Sequence, residues 1–221
     1  MGKAHLEVFK TYGDLKAYES VLDVGCGCGL IGGSLTKYLI DGTYEGFDPD
    51  KTFIDWCKNN ISSKYPNFHF SISEVAQYEN PNAKVKSSKF VFPYKAESFD
   101  FVIVKSIFTH MLPEGVENYL FEINRVLKTG GRCFITYCLI NDDSLKLIQQ
   151  NKTTWNFKCN KGNYSIISEE APLQMVAYNE SFILELYNRI DLHIEKPIFY
   201  GGWRGKTRKD IRQDFIIAIK K

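Results

Sequence analysis

No stretch of this 221-residue chain approaches the roughly 20 consecutive apolar residues that a membrane-spanning helix needs. Residues Met1 to Glu19 alternate polar and apolar side chains and contain no signal-peptide core. No membrane partner is therefore expected. Net charge is also scarce. The 28 Lys and Arg against 26 Asp and Glu leave +2, too little to attract polyanions in general, and no nucleic-acid partner is expected. Metal-binding cysteine spacing is missing too. Cys26, Cys28, Cys57, Cys133, Cys138 and Cys159 are scattered, with no Cys-x-x-Cys pair, so no metal site is expected. Scattered cysteines in apolar surroundings read as small hydrophobes, which suits a reduced, cytoplasmic protein. Internal repeats and low-complexity tracts are absent as well.

What remains is an ordinary globular composition, 44% hydrophobic and 24% charged, in a chain of one-domain length. The expected division is a single domain, 1–221. Residues 1–19 form a lead-in, with a short helix around Glu7 to Tyr18. Residues 151–172 form a substrate-side insertion, polar and aromatic, between a strand and the next helix.

The organising stretch is Val21-Leu22-Asp23-Val24-Gly25-Cys26-Gly27-Cys28-Gly29. Three apolar residues suit a buried strand. Glycine at Gly25, Gly27 and Gly29 lets the chain turn sharply and lets a ligand lie against the backbone. An amphipathic run, Leu30 to Ile40, follows and would aim its free N–H groups at that ligand. The spacing departs from the dinucleotide fingerprint Gly-x-Gly-x-x-Gly, whose third glycine would fall on Leu30. Asp23, just before the loop, would repel a pyrophosphate and attract a cation. A nicotinamide-dependent dehydrogenase is disfavoured on both counts.

This motif resembles the first motif of the class I S-adenosylmethionine-dependent methyltransferases. In that family the amino group of S-adenosyl-L-methionine lies near the acidic end of the motif and its carboxylate near the loop amides. A second block strengthens the resemblance. Phe99-Asp100, an apolar strand, a helix from about Glu114 to Leu127, Lys128-Thr129-Gly130-Gly131 and a further strand from Arg132 follow the family's order. The segment from Ser106 to Met111 is similar to a bacterial and archaeal, type 11/12-like subgroup acting on small molecules and glycans. The similarity covers Val21 to Lys221. It implies an α/β, Rossmann-like class I methyltransferase fold. That fold has a seven-stranded, mostly parallel sheet with an antiparallel last strand and helices on both faces.

Strands are expected at Thr43–Asp48, Phe68–Ile72, Phe99–Ser106, Arg132–Leu139, Leu192–Tyr200 and Asp214–Ile219. Lys84 to Phe92 reads as an extra strand or arm after a turn at Asn80-Pro81-Asn82. Helices are expected from Lys51 toward Ser63, over Asp142–Gln149, and over Glu180–Arg189 capped by Asn179.

Asp48 ends the second strand, 19 residues beyond Gly29, an offset suited to a ribose-binding carboxylate. The other reading is an N-cap, which Asp50 could supply equally well. Expected cofactor-binding residues are Asp23, Gly25, Cys26, Gly27, Gly29, Asp48, Pro49, Lys105 and Ser106. The acidic or amide residue that usually follows the third strand is replaced by Ser71, Ser73 and Glu74, so the adenine contact stays open. His110 lies just past a central parallel strand, the edge where open α/β sheets bind ligands. It is the candidate general base, and the other reading is a loop-orienting hydrogen bond. His69 and His193 fall inside strands and His5 in the lead-in.

Trp203, in a Gly-Gly-Trp loop with five cations from Arg204 to Arg212, is the candidate substrate contact. The implied function is methyl transfer to a small-molecule or sugar-containing (glycan) acceptor, with oxygen as the expected atom. Lys105-Ser106-Ile107-Phe108 stands where an Asn-Pro-Pro-Tyr-like motif would mark amino-nitrogen methylation. The alternative is a non-catalytic cofactor-binding or scaffolding module of the same fold.

Overall fold

The structure, a computed structural model, describes residues 2–76, 85–205 and 212–221. In chain order the elements are α1 (Gly2–Gly13), β1 (Ser20–Val24), α2 (Leu30–Leu35), β2 (Thr43–Asp48), α3 (Lys51–Cys57), β3 (Phe68–Ile72), β4 (Val75–Ala76), β5 (Val85–Lys86), β6 (Phe99–Val104) and α4 (Pro113–Val126). There follow β7 (Leu127–Tyr137), β8 (Leu139–Ile140), α5 (Asp142–Gln149), β9 (Cys159–Asn160), β10 (Tyr164–Ile166), β11 (Val176–Asn179), α6 (Glu180–Ile190), β12 (Leu192–Phe199) and β13 (Asp214–Lys220).

Seven strands form the main sheet in the order β12-β13-β7-β6-β1-β2-β3. All neighbours pair in parallel except β13, which runs antiparallel to both β7 and β12. β1 has β2 on one side and β6 on the other. The strand order therefore reverses beside β1, which opens a crevice at the carboxyl ends of the strands. This is the expected Rossmann-like arrangement.

The central strands are buried on both faces, so they read as apolar runs instead of alternating ones. On one face Val21, Phe101, Ile103 and Phe134 meet Phe9 of α1, Leu35 of α2 and Ile54 of α3. On the other, Leu22, Val102, Val104 and Ile135 meet Val116 and Ile123 of α4 and Ile183 of α6. A second sheet, β8-β11-β10-β9, is assembled from the segment between β7 and α6. Ile148, Phe157, Met175 and Trp203 form a small core beside it.

Several boundaries differ from those expected. α1 begins nearer the chain start and stops at Gly13, before Asp14 with its φ of 50°. α2 is only six residues long, with Gly32 and Gly33 in its interior, where glycine costs about 1 kcal/mol relative to alanine. α3 loosens after Cys57 into a wider turn over Lys58–Ser62. β6 stops at Val104, because Ser106 leaves the extended region with φ 61°. Lys84 to Phe92 resolves into the two-residue β5 and a short 3₁₀ turn, with Lys84 itself and the Asn80-Pro81-Asn82 turn outside the described residues. Asn179 precedes α6 without capping it through its side chain; its amide donates to Gly162 O at 2.8 Å instead.

Candidate functional site

The glycine loop bends back over the end of β2. Gly25 N and Cys26 N both donate to Phe47 O, at 2.9 and 3.0 Å. Gly25, Gly27 and Gly29 all hold left-handed φ values of 71°, 52° and 72°, the region open to glycine without a steric cost. The three differ in surroundings. A Cβ on Gly25 would sit 2.2 Å from Ile107 Cδ1, and one on Gly29 would sit 2.8 Å from Cys57 Sγ. One on Gly27 would meet nothing within 4 Å. The loop is thus packed on its flanks and open at its centre. Cys26 is buried against Gly46. Burial pushes its thiol, and that of Cys57, upward, Cys57 to about 12, so neither is a nucleophile at neutral pH. α2 is too short for a strong terminal dipole, so the aligned-helix contribution expected from the sequence is small.

Two carboxylates flank the loop. Asp23, 1% exposed, accepts a hydrogen bond from Tyr44 OH at 2.5 Å. Burial raises its carboxyl to about 7, against the lowering effect of the Tyr44 bond. Asp48 accepts from Gly27 N through Oδ2 and from Asp50 N through Oδ1, both at 2.9 Å. Burial raises it, and these two N–H bonds counteract the rise. Asp50 caps α3, accepting from Thr52 N and Phe53 N at 2.7 and 3.1 Å. The cap is therefore Asp50, and Asp48 braces the loop from beside the buried Pro49. Ser73 N donates to Asp48 O at 3.0 Å. Ser73 is 4% exposed, and its hydroxyl is buried without a partner among the described residues.

Beyond β6, Lys105 is half-buried. Burial lowers its amine, and the charge of Asp23 raises it. Ser106 donates its N–H to Thr136 Oγ1 at 2.8 Å and its hydroxyl to Gln213 Oε1 at 2.9 Å. Gln213 in turn donates to Thr109 Oγ1 at 3.1 Å. Ser106 thus ties the turn to Thr136 and Gln213. That turn carries His110 into solvent, with Nδ1 3.0 Å from Leu173 O. A carbonyl only accepts, so Nδ1 is the donor in this bond, and in the neutral tautomer the lone pair then lies on Nε2.

Trp203 is placed elsewhere than expected. It is 1% exposed, and its indole N–H donates to Asp214 Oδ2 at 2.8 Å. Its ring meets Phe157 edge-on at 5.5 Å. It holds the second sheet to β13 and offers no surface to an acceptor. Arg204 is buried as well, 3.3 Å from Asp214 Oδ1 and stacked over Tyr200. The rest of the cationic loop, 206–211, lies outside the described residues. His69 and His193 are exposed at strand positions, His193 beside Asp191.

Residues that the sequence did not bring forward also meet here. Tyr44 is a strand residue whose alternation gives no hint of its bond to Asp23. Gln213 and Leu173 lie far along the chain in loops. Among the described residues no group of three or more His, Cys, Asp or Glu side chains could hold a metal ion. No described helix is long and apolar enough to cross a membrane.

A methyltransferase-domain family model matches residues 15–183. The chain belongs to this methyltransferase family. Protein 235L of Invertebrate iridescent virus 6, which carries a methyltransferase name, is 26% identical to this methyltransferase over 149 residues. The match covers 66% of this chain and 48% of the viral protein, so the chain spans about half the length of that relative. Among solved structures, the PH0226 protein of Pyrococcus horikoshii superposes with a TM-score of 0.68 at 16% identity, over 99% of this chain and 89% of that one. A Methanosarcina mazei S-adenosylmethionine-dependent methyltransferase gives 0.62 at 18% identity, over 95% of each chain. The Burkholderia thailandensis 1,6-didemethyltoxoflavin-N1-methyltransferase, solved with S-adenosylhomocysteine, gives 0.62 at 14% identity, over 99% of this chain and 76% of that one.

S-adenosylmethionine is the cofactor for which the Methanosarcina protein is named, and the residues at this chain's loop are compatible with such a ligand. The open backbone at Gly27 leaves room for a ligand against the loop. Asp23 could face an ammonium and Asp48 a ribose. Bound here, that cofactor would supply a methyl group already activated on a sulfonium, and the protein would supply alignment and exclusion of water.

Proposed function

We propose that this methyltransferase acts on a small-molecule or sugar-containing acceptor, at oxygen, with His110 as general base. The observation that carries the reading is the His110 to Leu173 hydrogen bond. It supports a ring oriented through Nδ1, with Nε2 left to take the proton of an acceptor hydroxyl at the carboxyl edge of the sheet. Methylation of oxygen needs that proton removed as the new carbon–oxygen bond forms, and the proton passes to Nε2. A carbonyl on Nδ1 keeps the ring in the tautomer able to receive it.

The small-molecule class is supported by the name of the Burkholderia neighbour, which acts on a small heterocycle and is named for a nitrogen position. Oxygen is the reading supported by a histidine tied to Leu173 O just beyond β6. It is also favoured by Lys105-Ser106-Ile107-Phe108, which stands where amino-nitrogen enzymes carry their Pro-Pro-Tyr-type motif. We assign the acceptor cover to residues 151–172 and the loop up to Met175, because His110 is tied to Leu173 within that segment. A cytoplasmic location agrees with six free cysteines.

The test is calorimetric titration with S-adenosylhomocysteine against a nicotinamide dinucleotide, followed by a methyl-transfer screen over sugars and hydroxylated metabolites. Binding of the first ligand alone, with turnover on a hydroxyl acceptor, is the expected result. Binding without transfer to any acceptor would favour a non-catalytic module, and turnover only on amines would overturn the oxygen assignment.

A further inference from the structure

Ser106 is the strained point of the turn that carries His110. Its φ of 61° is left-handed, a region costly for a residue with a Cβ, which persists only where the surroundings over-determine it. The restraint comes from two other strands. Ser106 donates its N–H to Thr136 Oγ1 of β7 at 2.8 Å and its hydroxyl to Gln213 Oε1, just before β13, at 2.9 Å. The same Gln213 amide donates through Nε2 to Thr109 Oγ1 at 3.1 Å. Thr109 is fully buried and immediately precedes His110. One side chain thus grips the turn twice, at its strained residue and at the neighbour of the histidine.

A grip sets a position only if its own footing is rigid, and the backbone on either side of Gln213 is pinned. Trp203 N donates to Arg212 O at 2.9 Å, and Gly201 N donates to Asp214 Oδ1 at 2.7 Å. A Cβ on Gly201 would lie 2.3 Å from Gln213 O, so the two backbones pack this closely only because that residue is glycine. Asp214 then starts β13 in register with Tyr137, and Phe215 pairs with Thr136. Gln213 and Thr136 therefore reach Ser106 from two strands locked to each other.

The turn is fastened to the fold without Gln213. Phe108 is fully buried, with ring centroids 5.5 Å from Tyr137 and 6.3 Å from Tyr119. Tyr178 of β11 reaches the carbonyls of Phe108 and Met111 with its hydroxyl. What the Gln213 amide adds is direction. It fixes the two side chains that bracket the turn, and so the angle at which His110 leaves it.

We infer that Gln213 is a positioning residue for His110, acting through Ser106 and Thr109. This rests on the reading of His110 as general base and deepens it: the last strand sets where the base stands. A displacement of about 1 Å at a reacting group can cost about 10²-fold in rate.

The test combines Gln213→Leu, Gln213→Glu, His110→Ala and the Gln213→Leu/His110→Ala double variant. Leucine removes both bonds, whereas glutamate accepts from both hydroxyls and serves as the rescue. With the hydroxyl acceptor from the screen, Gln213→Leu is expected to lower kcat about 10- to 100-fold, and Gln213→Glu to return it to within about fivefold of wild type. Affinity for S-adenosylhomocysteine should stay within about threefold, and Gln213→Leu should cost less than about twofold once His110 is alanine. A loss of the same size in both backgrounds, or a loss of affinity in step with kcat, would overturn the inference while leaving the base reading intact. Full activity in His110→Ala would remove the base reading, and this inference with it. The ¹⁵N resonances of the His110 ring, recorded where it is neutral, give a readout that needs no acceptor. The wild-type ring should carry its proton on Nδ1, and Gln213→Leu should show a mixture of both tautomers. An unchanged spectrum in the variant would overturn the inference, and a mixture already in the wild type would remove the base reading on which it rests. If Gln213→Leu does not fold, Thr109→Val, which deletes one of the two bonds at nearly constant shape, carries the same comparison.

Discussion

The Tyr44 hydroxyl donates to Asp23 Oδ2 across 2.5 Å, on adjacent strands, with both side chains buried. The bond stabilises the carboxylate in a place where desolvation opposes it. Asp23 is therefore poised near neutrality, its carboxyl held up at about 7.

That poise gives a pH dependence with a definite sign. Unfolded, Asp23 loses its proton near about 4; folded, it keeps it up to about 7. Between those values the folded state binds more protons, so this group's contribution to stability declines as pH rises and is level above about 7. A cation beside Asp23 favours the carboxylate. Affinity for S-adenosylhomocysteine should therefore rise toward neutrality, by at most about tenfold per pH unit, and flatten above it. Asp23→Asn should remove the slope. Tyr44→Phe should move it to higher pH, because the bond that lowers Asp23 is gone. Calorimetry across the range decides; an unchanged slope in Asp23→Asn would assign it to another group.

Gly27→Ala separates backbone strain from ligand clearance. With φ at 52° and nothing within 4 Å of the added Cβ, the variant meets only the left-handed penalty of about 1–2 kcal/mol. Its melting temperature should fall by only several degrees. Binding of S-adenosylhomocysteine should fall far more, by over about tenfold, since a methyl group would stand where the ligand approaches. Binding equal to wild type would show that the ligand does not lie against this loop.

His110→Ala should lower turnover by about 10²- to 10⁴-fold while leaving S-adenosylhomocysteine affinity nearly unchanged. Steady-state rates with the acceptor from the screen, beside calorimetry, read the two effects separately. Full activity would reduce His110 to a tether for Leu173.

Trp203→Phe keeps the edge-on contact with Phe157 and removes the donor to Asp214. The expected loss is about 1–3 kcal/mol of stability, the range for a buried acceptor deprived of a partner. Thermal melting should show it, with the acceptor KM unaltered. A KM rise at unchanged stability would return Trp203 to the substrate side.

Much of the nucleotide half was legible in advance because its signals are local. The strands Thr43–Asp48 and Phe68–Ile72 appear with the boundaries that their apolar patterns set. The competition between Asp48 and Asp50 for the cap could be framed from spacing, and the structure decides it through two hydrogen bonds from the α3 amides. Trp203 was misread because the position of a tryptophan in a glycine-rich loop says nothing about which way the ring turns. Its burial depends on Phe157 and Asp214, which are remote in sequence. The brace through Ser106, Gln213 and Thr136 is invisible for the same reason: each member is an ordinary polar residue until the topology brings β7 and β13 beside the end of β6.

The place of β13 between β7 and β12 bears on how the chain is made. A ribosome that has reached only Phe199 has already produced β7 and β12, yet each of them waits for the same missing neighbour. Until Asp214–Lys220 emerges, β7 presents an unpaired border with its apolar faces already formed. Such a border invites association with other nascent chains. Insertion of β13 therefore closes the open edges of β7 and β12 at once.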